Sequence, residues 1–209
     1  MTINPFRDPA APYGEWIQTY SGATFDFENP ETSPMLPIDI AHALALQNRF
    51  NGHTREPYSV AEHLVRSSYA VEPGHELAAL LHDAPEFVTG DLVSPLKRLL
   101  PDFKTHEKRI ERSLFRRFGV PEELSPEVKR VDLVMLATEK RDLMPDHGDT
   151  WECLIGVEPL PDRIRPWEWR TAELSWLARF SELTGTMPEY APSKYRRDGF
   201  GKVLPNAYR

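Results

Sequence analysis

Four residues carry side chains that can bind a metal, at positions where helical periodicity calls for apolar ones. His82 and Asp83 follow the run Leu77-Ala78-Ala79-Leu80-Leu81. Asp132 falls on the apolar stripe of Val128, Val131, Met135 and Leu136, and His63 lies beside Val60 and Leu64. An imidazole or carboxylate buried without a partner costs roughly 1–7 kcal/mol. Such residues on three separate helices point to one shared partner, and a divalent cation is the simplest. Neutral imidazoles and carboxylates suit Mn²⁺, Fe²⁺, Co²⁺ or Zn²⁺, with Mg²⁺ also admissible.

The elements that must position these residues are mostly helices. Ile38 to Asn48 reads as a short Ala/Leu-rich helix. Ser59-Val60-Ala61-Glu62 is a capping box, which opens a helix running to about Val71. A helix is expected over 75–87, with Leu77, Leu80 and Leu81 inward. Another spans 103–118 and ends at Gly119 before Pro121. Ser125-Pro126 is an N-cap followed by proline at the first helical position, and its helix runs to about Leu143. The last covers roughly 167–184, where Trp167, Trp169 and Trp176 look like core packing. Before these, Glu15 to Glu28 alternates around Ser21-Gly22 and predicts a hairpin. Residues 29–37 read as a proline-rich loop. The expected class is therefore all-α, a helical bundle with a small N-terminal β-hairpin. Residues 1–37 form an arm and hairpin packed on a domain of residues 38–186. The tail 187–209, rich in Pro, Tyr and basic residues, would fold back on the core or onto a neighbouring subunit.

The order His63, then His82-Asp83, then Asp132 resembles the signature of the HD superfamily of metal-dependent phosphohydrolases. Tyr58 to His63 is similar to the "VAEH" segment of bacterial 5′-deoxynucleotidases. Leu81 to Leu92 resembles their "HDxxE…TGDL" segment, and Ser94 to Lys97 and Val128 to Asp132 continue the match in order. The similarity covers roughly Ile38 to Met144 and extends to phage dATP triphosphohydrolases. It implies an HD-domain bundle in which His63, His82, Asp83 and Asp132 are the metal ligands. Glu86 matches the catalytic acid/base, and Asp91 a second active-site carboxylate, although Thr89-Gly90-Asp91 is also a good turn-and-cap sequence. Arg49 matches the arginine that grips phosphate, and Phe50 stands where the family often has Trp. Lys97 and Lys129 match phosphate-facing lysines of the triphosphate-cleaving relatives.

The implied reaction is hydrolysis of a small nucleotide's phosphate. A 5′-nucleotidase acting on (deoxy)nucleoside monophosphates is the simplest form. Cleavage of triphosphate from dNTPs is the close variant, and Lys97 and Lys129 mildly favour room for more phosphates. Alarmone hydrolases resemble "HDxxED", and Phe87 stands in place of the second acid. No matching set of extra histidines suggests a binuclear cyclic-diester enzyme. A silent nucleotide-binding regulatory protein is the alternative of another class, opposed by the presence of every proposed ligand and of Glu86.

Composition bounds these readings. The 209 residues are 40% hydrophobic and 27% charged, ordinary for one soluble domain. The formal net charge of −7 disfavours long DNA or RNA as a partner, while a locally basic pocket can still take a small anion. No 18-residue apolar run predicts a membrane span, and no apolar leader is read near Met1. The single cysteine, Cys153, excludes an intrachain disulfide and a cysteine zinc site, which fits a cytoplasmic protein. A homodimer or higher homo-oligomer is expected from the resemblance and from the frequency of two-fold assemblies.

Overall fold

The computed structural model describes residues 14–186. The expected arm before the hairpin and the tail from Met187 lie outside them. A two-stranded antiparallel sheet comes first, β1 (Trp16–Gln18) and β2 (Thr24–Asp26), in the register Ile17↔Phe25. Gly22, at φ +85°, supplies the positive φ that its turn needs. The hairpin is fastened to α1 (Pro37–Leu46) by Asp39, whose carboxylate accepts from Ser21 N–H at 2.6 Å, Ser21 Oγ at 2.8 Å and Thr19 Oγ1 at 3.0 Å. Phe25 of β2 enters the main core.

The other main elements are helices, α2 (Val60–Ala70), α3 (Glu76–Leu81), α4 (Glu86–Thr89), α5 (Ser94–Lys97), α6 (Pro101–Phe118), α7 (Pro126–Leu143) and α8 (Trp169–Thr184), with an irregular stretch between α7 and α8. The expected all-α class with a small hairpin is what the structure has. Trp176 of α8 is fully buried, and α8 packs on α1, α2 and α3. A helix so enclosed must pair its charges. Glu173 meets His42 Nδ1 at 3.0 Å, and Arg179 donates to Ser68 Oγ at 2.9 Å. This is the expected core packing of Trp176, and Trp167 is buried in the same core, whereas Trp169 is only half-buried, its ring edge-on to His42.

Two local expectations change. The helix predicted over 75–87 is broken: α3 stops at Leu81, residues 82–85 form a turn, and α4 begins at Glu86. Pro85 is the cause, because it has no N–H to give to the Leu81 carbonyl. Ala84 N–H takes that carbonyl instead, at 3.0 Å. His82 and Asp83 thus sit on a turn between two helices. The capping box is also only half formed. Ser59 Oγ accepts from Glu62 N–H at 3.2 Å, but the Glu62 carboxylate turns away to Arg66 Nε at 2.9 Å and Trp167 N–H at 2.7 Å. It therefore ties α2 to the segment entering α8. At the other boundaries α6 opens with Pro101 and closes on left-handed Gly119, where Val120 N–H reaches Phe115 O at 2.9 Å. Ser125 caps α7 through Val128 N–H at 3.4 Å.

Candidate metal centre

Three parts of the chain meet at the site. Helix α2 presents His63 from its core face, the proline-enforced turn presents His82 and Asp83, and α7 presents Asp132. One donor atom from each of the four lies within 4.8 Å of the other three. His63 Nε2 is 3.3 Å from His82 Nε2, 3.4 Å from Asp132 Oδ1 and 3.9 Å from Asp83 Oδ2. His82 Nε2 is 3.4 Å from Asp83 Oδ2 and 3.6 Å from Asp132 Oδ1. Donors held about 2.0–2.2 Å from one ion stand roughly 3–3.6 Å apart, so the spacing fits a single cation with little adjustment.

The hydrogen bonds behind the rings make the fit chemical as well as spatial. His82 Nδ1 lies 2.9 Å from Ala79 O, a pure acceptor, so Nδ1 carries the proton. His63 Nδ1 lies 2.6 Å from Glu139 Oε1. Both bare Nε2 lone pairs then point at each other, an arrangement that repels unless a proton or cation lies between them. Asp83 and Asp132 add two negative charges at the same point. Burial opposes charge on both histidines, yet these acids and Glu139 raise their proton affinity, His82 the more strongly. Asp83 and Asp132 are held below the usual carboxylate range despite burial, chiefly by the histidines. Such a field favours a divalent cation.

The burial expected of all four holds for the imidazoles only. The His63 side chain is fully buried, whereas that of Asp132 keeps 39% of its exposure. The acids look into a cavity of about 640 Å³, which is the reason they stay wet. Its walls include Lys108 and Arg112 of α6, Glu122 and Leu124 of the following loop, and Lys129 of α7.

The remaining candidate residues fall around this centre. Arg49 enters through a strand-like bridge in which Arg49 N–H donates to Tyr58 O at 2.9 Å and Val60 N–H to Gln47 O at 3.0 Å. After it the chain turns left-handed at Phe50 (φ 57°) and Asn51 (φ 50°), a local strain of order 1–3 kcal/mol each. Arg49 Nε donates to Glu139 Oε2 at 3.1 Å and Nη1 to Asp83 Oδ2 at 3.3 Å. Burial works against its charge, but Glu139 and then Asp83 hold it firmly protonated. The Phe50 ring lies beside Arg49 and 6.1 Å from Trp151, over which Lys140 Nζ sits at 5.2 Å.

Glu86 is nearly buried. Its Oε1 meets Lys97 Nζ at 3.2 Å, and its Oε2 has no hydrogen-bond partner among the described residues. Burial, with Asp83 and Asp91 nearby, pushes its carboxyl well up. Lys97 also reaches Glu107 Oε1 at 2.6 Å, so the structure sets this lysine between two acids. Asp91 does not cap α5, whose N-cap is Val93. It is raised by burial and feels Arg49, Asp83, Lys97 and His63, which puts it at the site. Lys129 stands exposed on the cavity wall.

Three residues of this surrounding were missed in the sequence: Glu139, Glu107 and Trp151. Glu139 had a signal, since it follows Asp132 by seven residues and so shares its face of α7. Glu107 and Trp151 had none, because contacts between distant segments bring them in. His42 lies elsewhere, bonded to Glu173 and stacked on Tyr20 at 3.6 Å between centroids.

Over 142 residues the sequence is 42% identical to YfdR of Escherichia coli K12, an uncharacterized protein, covering 68% of this chain and 80% of that one. The chain belongs to the YfdR family. An uncharacterized protein of Rhodobacter capsulatus is 39% identical over 125 residues, 55% of this chain and 64% of its own length. A 5′-deoxynucleotidase of Vibrio cholerae is 30% identical over 160 residues, 76% of this chain and again 64% of that protein. No family model matches the sequence. For this YfdR-family chain the comparisons thus give a kinship to uncharacterized proteins and a more distant likeness to one nucleotidase. Among the described residues no helix is long and apolar enough to cross a membrane.

Proposed function

We propose that the chain is a metal-dependent phosphohydrolase of the HD superfamily acting on a small nucleotide, most simply a 5′-nucleotidase for (deoxy)nucleoside monophosphates. The observation that carries this reading is the meeting of four donor atoms from three elements within 4.8 Å, with both histidine Nδ1 atoms already engaged. The likeness to the Vibrio cholerae 5′-deoxynucleotidase supports the nucleotide as substrate.

His63, His82, Asp83 and Asp132 hold the ion. When bound, a divalent cation supplies Lewis-acid polarisation of a phosphoryl oxygen and makes a water acidic enough to attack near neutral pH. Arg49 leaves its Nη2 outside its two carboxylate bonds, and that edge is the one to offer a phosphate oxygen. Lys97 fixes Glu86 Oε1, Oε2 has no partner among the described residues, and burial with Asp83 and Asp91 nearby raises the proton affinity of this carboxyl, so Oε2 is the atom to offer a proton to a leaving oxygen. Asp91, which feels Arg49, Asp83 and Lys97, is the second acid of this reading.

A dNTP triphosphohydrolase is the second reading. Lys129 on the cavity wall favours it as a place for a phosphate beyond the first, while Lys108 and Arg112 on the same wall face Glu111 and Glu122.

Metal analysis of the purified chain, with a phosphate-release screen across nucleoside mono-, di- and triphosphates, tests the reading. Chelator-sensitive phosphate release from monophosphates is the expected result. Tripolyphosphate from dNTPs moves the assignment to the second reading. Bound metal with silence on every substrate favours a nucleotide-binding regulatory protein, and a chain that takes up no metal ends the proposal. A homodimer or larger homo-oligomer is proposed with it, to be checked by light scattering on the eluting peak.

A further inference from the structure

We infer that Glu139 is a positioning residue for both halves of the site. Its Oε1 fixes the metal ligand His63, its Oε2 aims Arg49, and metal affinity and phosphate affinity therefore hang on one buried carboxylate. The inference rests on the metal-hydrolase reading above.

The geometry is a closed circuit. Glu139 Oε1 meets His63 Nδ1 at 2.6 Å, Glu139 Oε2 accepts from Arg49 Nε at 3.1 Å, and Arg49 Nη1 returns to the ligand Asp83 at 3.3 Å. Two of the four metal donors are thus joined through Glu139 and Arg49, without passing through the ion. Glu139 is 0% exposed, so no water stands ready to replace either bond. Met135 and Leu143 stand one turn before and after it on α7 and pack with buried Tyr58, which feels the Glu139 charge and whose hydroxyl has no hydrogen-bond partner among the described residues. A carboxylate that holds a ligand imidazole through its second nitrogen sets the ring's tautomer and direction, and its loss costs about 10–100-fold in metal affinity.

The second oxygen adds something an ordinary outer partner lacks. Arg49 carries its guanidinium on a chain that turns left-handed at the next residue, so the backbone fixes the root of the side chain. Among the described residues, the two carboxylates give its tip the hydrogen bonds that fix its direction, with the Phe50 ring beside it. Remove Oε2 as an acceptor and the fork loses one of two anchors, so its free edge no longer points at one place.

The variants Glu139→Gln, Glu139→Asp and Glu139→Ala of the full chain separate these roles. Glutamine keeps an oxygen that can accept from His63 Nδ1–H but turns an amide N–H₂ toward Arg49, two donors face to face. Calorimetric titration with Mn²⁺ alone should then show a modest loss of affinity, roughly 3–10-fold, for Glu139→Gln and about 10–100-fold for Glu139→Ala. Titration of the Mn²⁺-saturated proteins with inorganic phosphate should show at least a roughly 10-fold loss for Glu139→Gln, since a buried charged hydrogen bond is lost. Glu139→Asp, one methylene shorter, should recover part of one affinity and not both. Should Glu139→Ala fail to fold, the near-isosteric Glu139→Gln carries the test. A purely structural Glu139 would lower the melting temperature and leave both dissociation constants at the wild-type value, and that result overturns the inference. Wild-type chain that binds and uses metal while Glu139→Gln behaves identically sinks this inference alone. Wild-type chain that binds no metal sinks it together with the reading beneath it.

Discussion

Around Glu139, behind the donor set, His63 and Glu139 are sealed from water and Arg49 nearly so, each held by charged partners. On the other side Asp83 and Asp132 look into an open cavity, with side chains 28% and 39% exposed. The same four donors are therefore built on two kinds of ground. The closed wall uses buried charges that must all be matched, because an unmatched one costs several kcal/mol. The open wall uses charges that water can solvate when a partner is lost. The division suits the proposed hydrolase: the inner wall would fix ligand directions in advance, and the outer one would leave room for substrate and solvent.

The comparison predicts unequal costs. Arg49→Ala strips Glu139 of its cation in a place water does not reach, and should lower stability by about 3–5 kcal/mol in urea denaturation. Were that variant to unfold at the wild-type midpoint, the closed wall would not be a charge-matched circuit at all. Asp132→Asn should behave in the opposite way. The side chain is partly exposed, so the metal-free protein should lose less than with Arg49→Ala, about 1–2 kcal/mol for the lost pairing with His63 and His82. Mn²⁺ affinity should nonetheless fall by at least about 100-fold, since even outer partners cost about 10–100-fold. A variant of Asp132 that loses stability and keeps its metal would reverse the assignment of the two walls.

The end of α7 offers a control that is closed like Glu139 but lies away from the donors. Asp142 accepts from Arg141 at 2.7 Å, Arg163 at 2.7 Å and Ile164 N–H at 2.9 Å, and its side chain is 2% exposed. Burial opposes its ionisation, but these bonds, Arg141 first, hold its carboxyl at about 2 against an ordinary 3.8. A depressed acid stabilises the fold above its unfolded pKa and stops doing so as pH falls through the folded one. Asp142→Asn should cost about 1–2 kcal/mol at pH 6, and the difference from wild type should shrink between pH 4 and 2. Mn²⁺ affinity at pH 7 should not move. If it falls with Asp142→Asn, closure anywhere on α7 matters to the donors and the circuit through Glu139 is nothing special.

Much of the candidate site was legible because the residues that could hold a metal violate a pattern. His63 is a polar residue inside an apolar stripe, and Ser59 and Ser125 mark the helix starts that set the phase of that stripe. The helix break at His82 was hidden in the same text: Pro85 was visible, but the leucines before it carried the helical pattern through. Burial of the acids was misjudged, because periodicity reports which face of a helix a residue occupies and not whether a cavity opens on that face. Glu139, two turns beyond Asp132, was readable in principle. Its role was not, since Arg49 and His63 reach it from 90 and 76 residues away.

The smallest expected effect lies on the open wall. Lys129 is exposed and has no partner among the described residues, so Lys129→Ala should leave stability within about 0.5 kcal/mol of wild type. An exposed cation facing one more phosphate is worth about 0.5–1 kcal/mol. On the proposed reading the KM for a nucleoside triphosphate should then rise about 2–5-fold, while that for a monophosphate, which would end at the ion and Arg49, should stay put. A parallel rise for both would mean that Lys129 acts on overall attraction of anions and not on a second phosphate, which 0.5 M salt would abolish. No rise for either would leave the cavity wall of α6 and α7 without a phosphate to hold, and the open side would serve only to admit substrate and water.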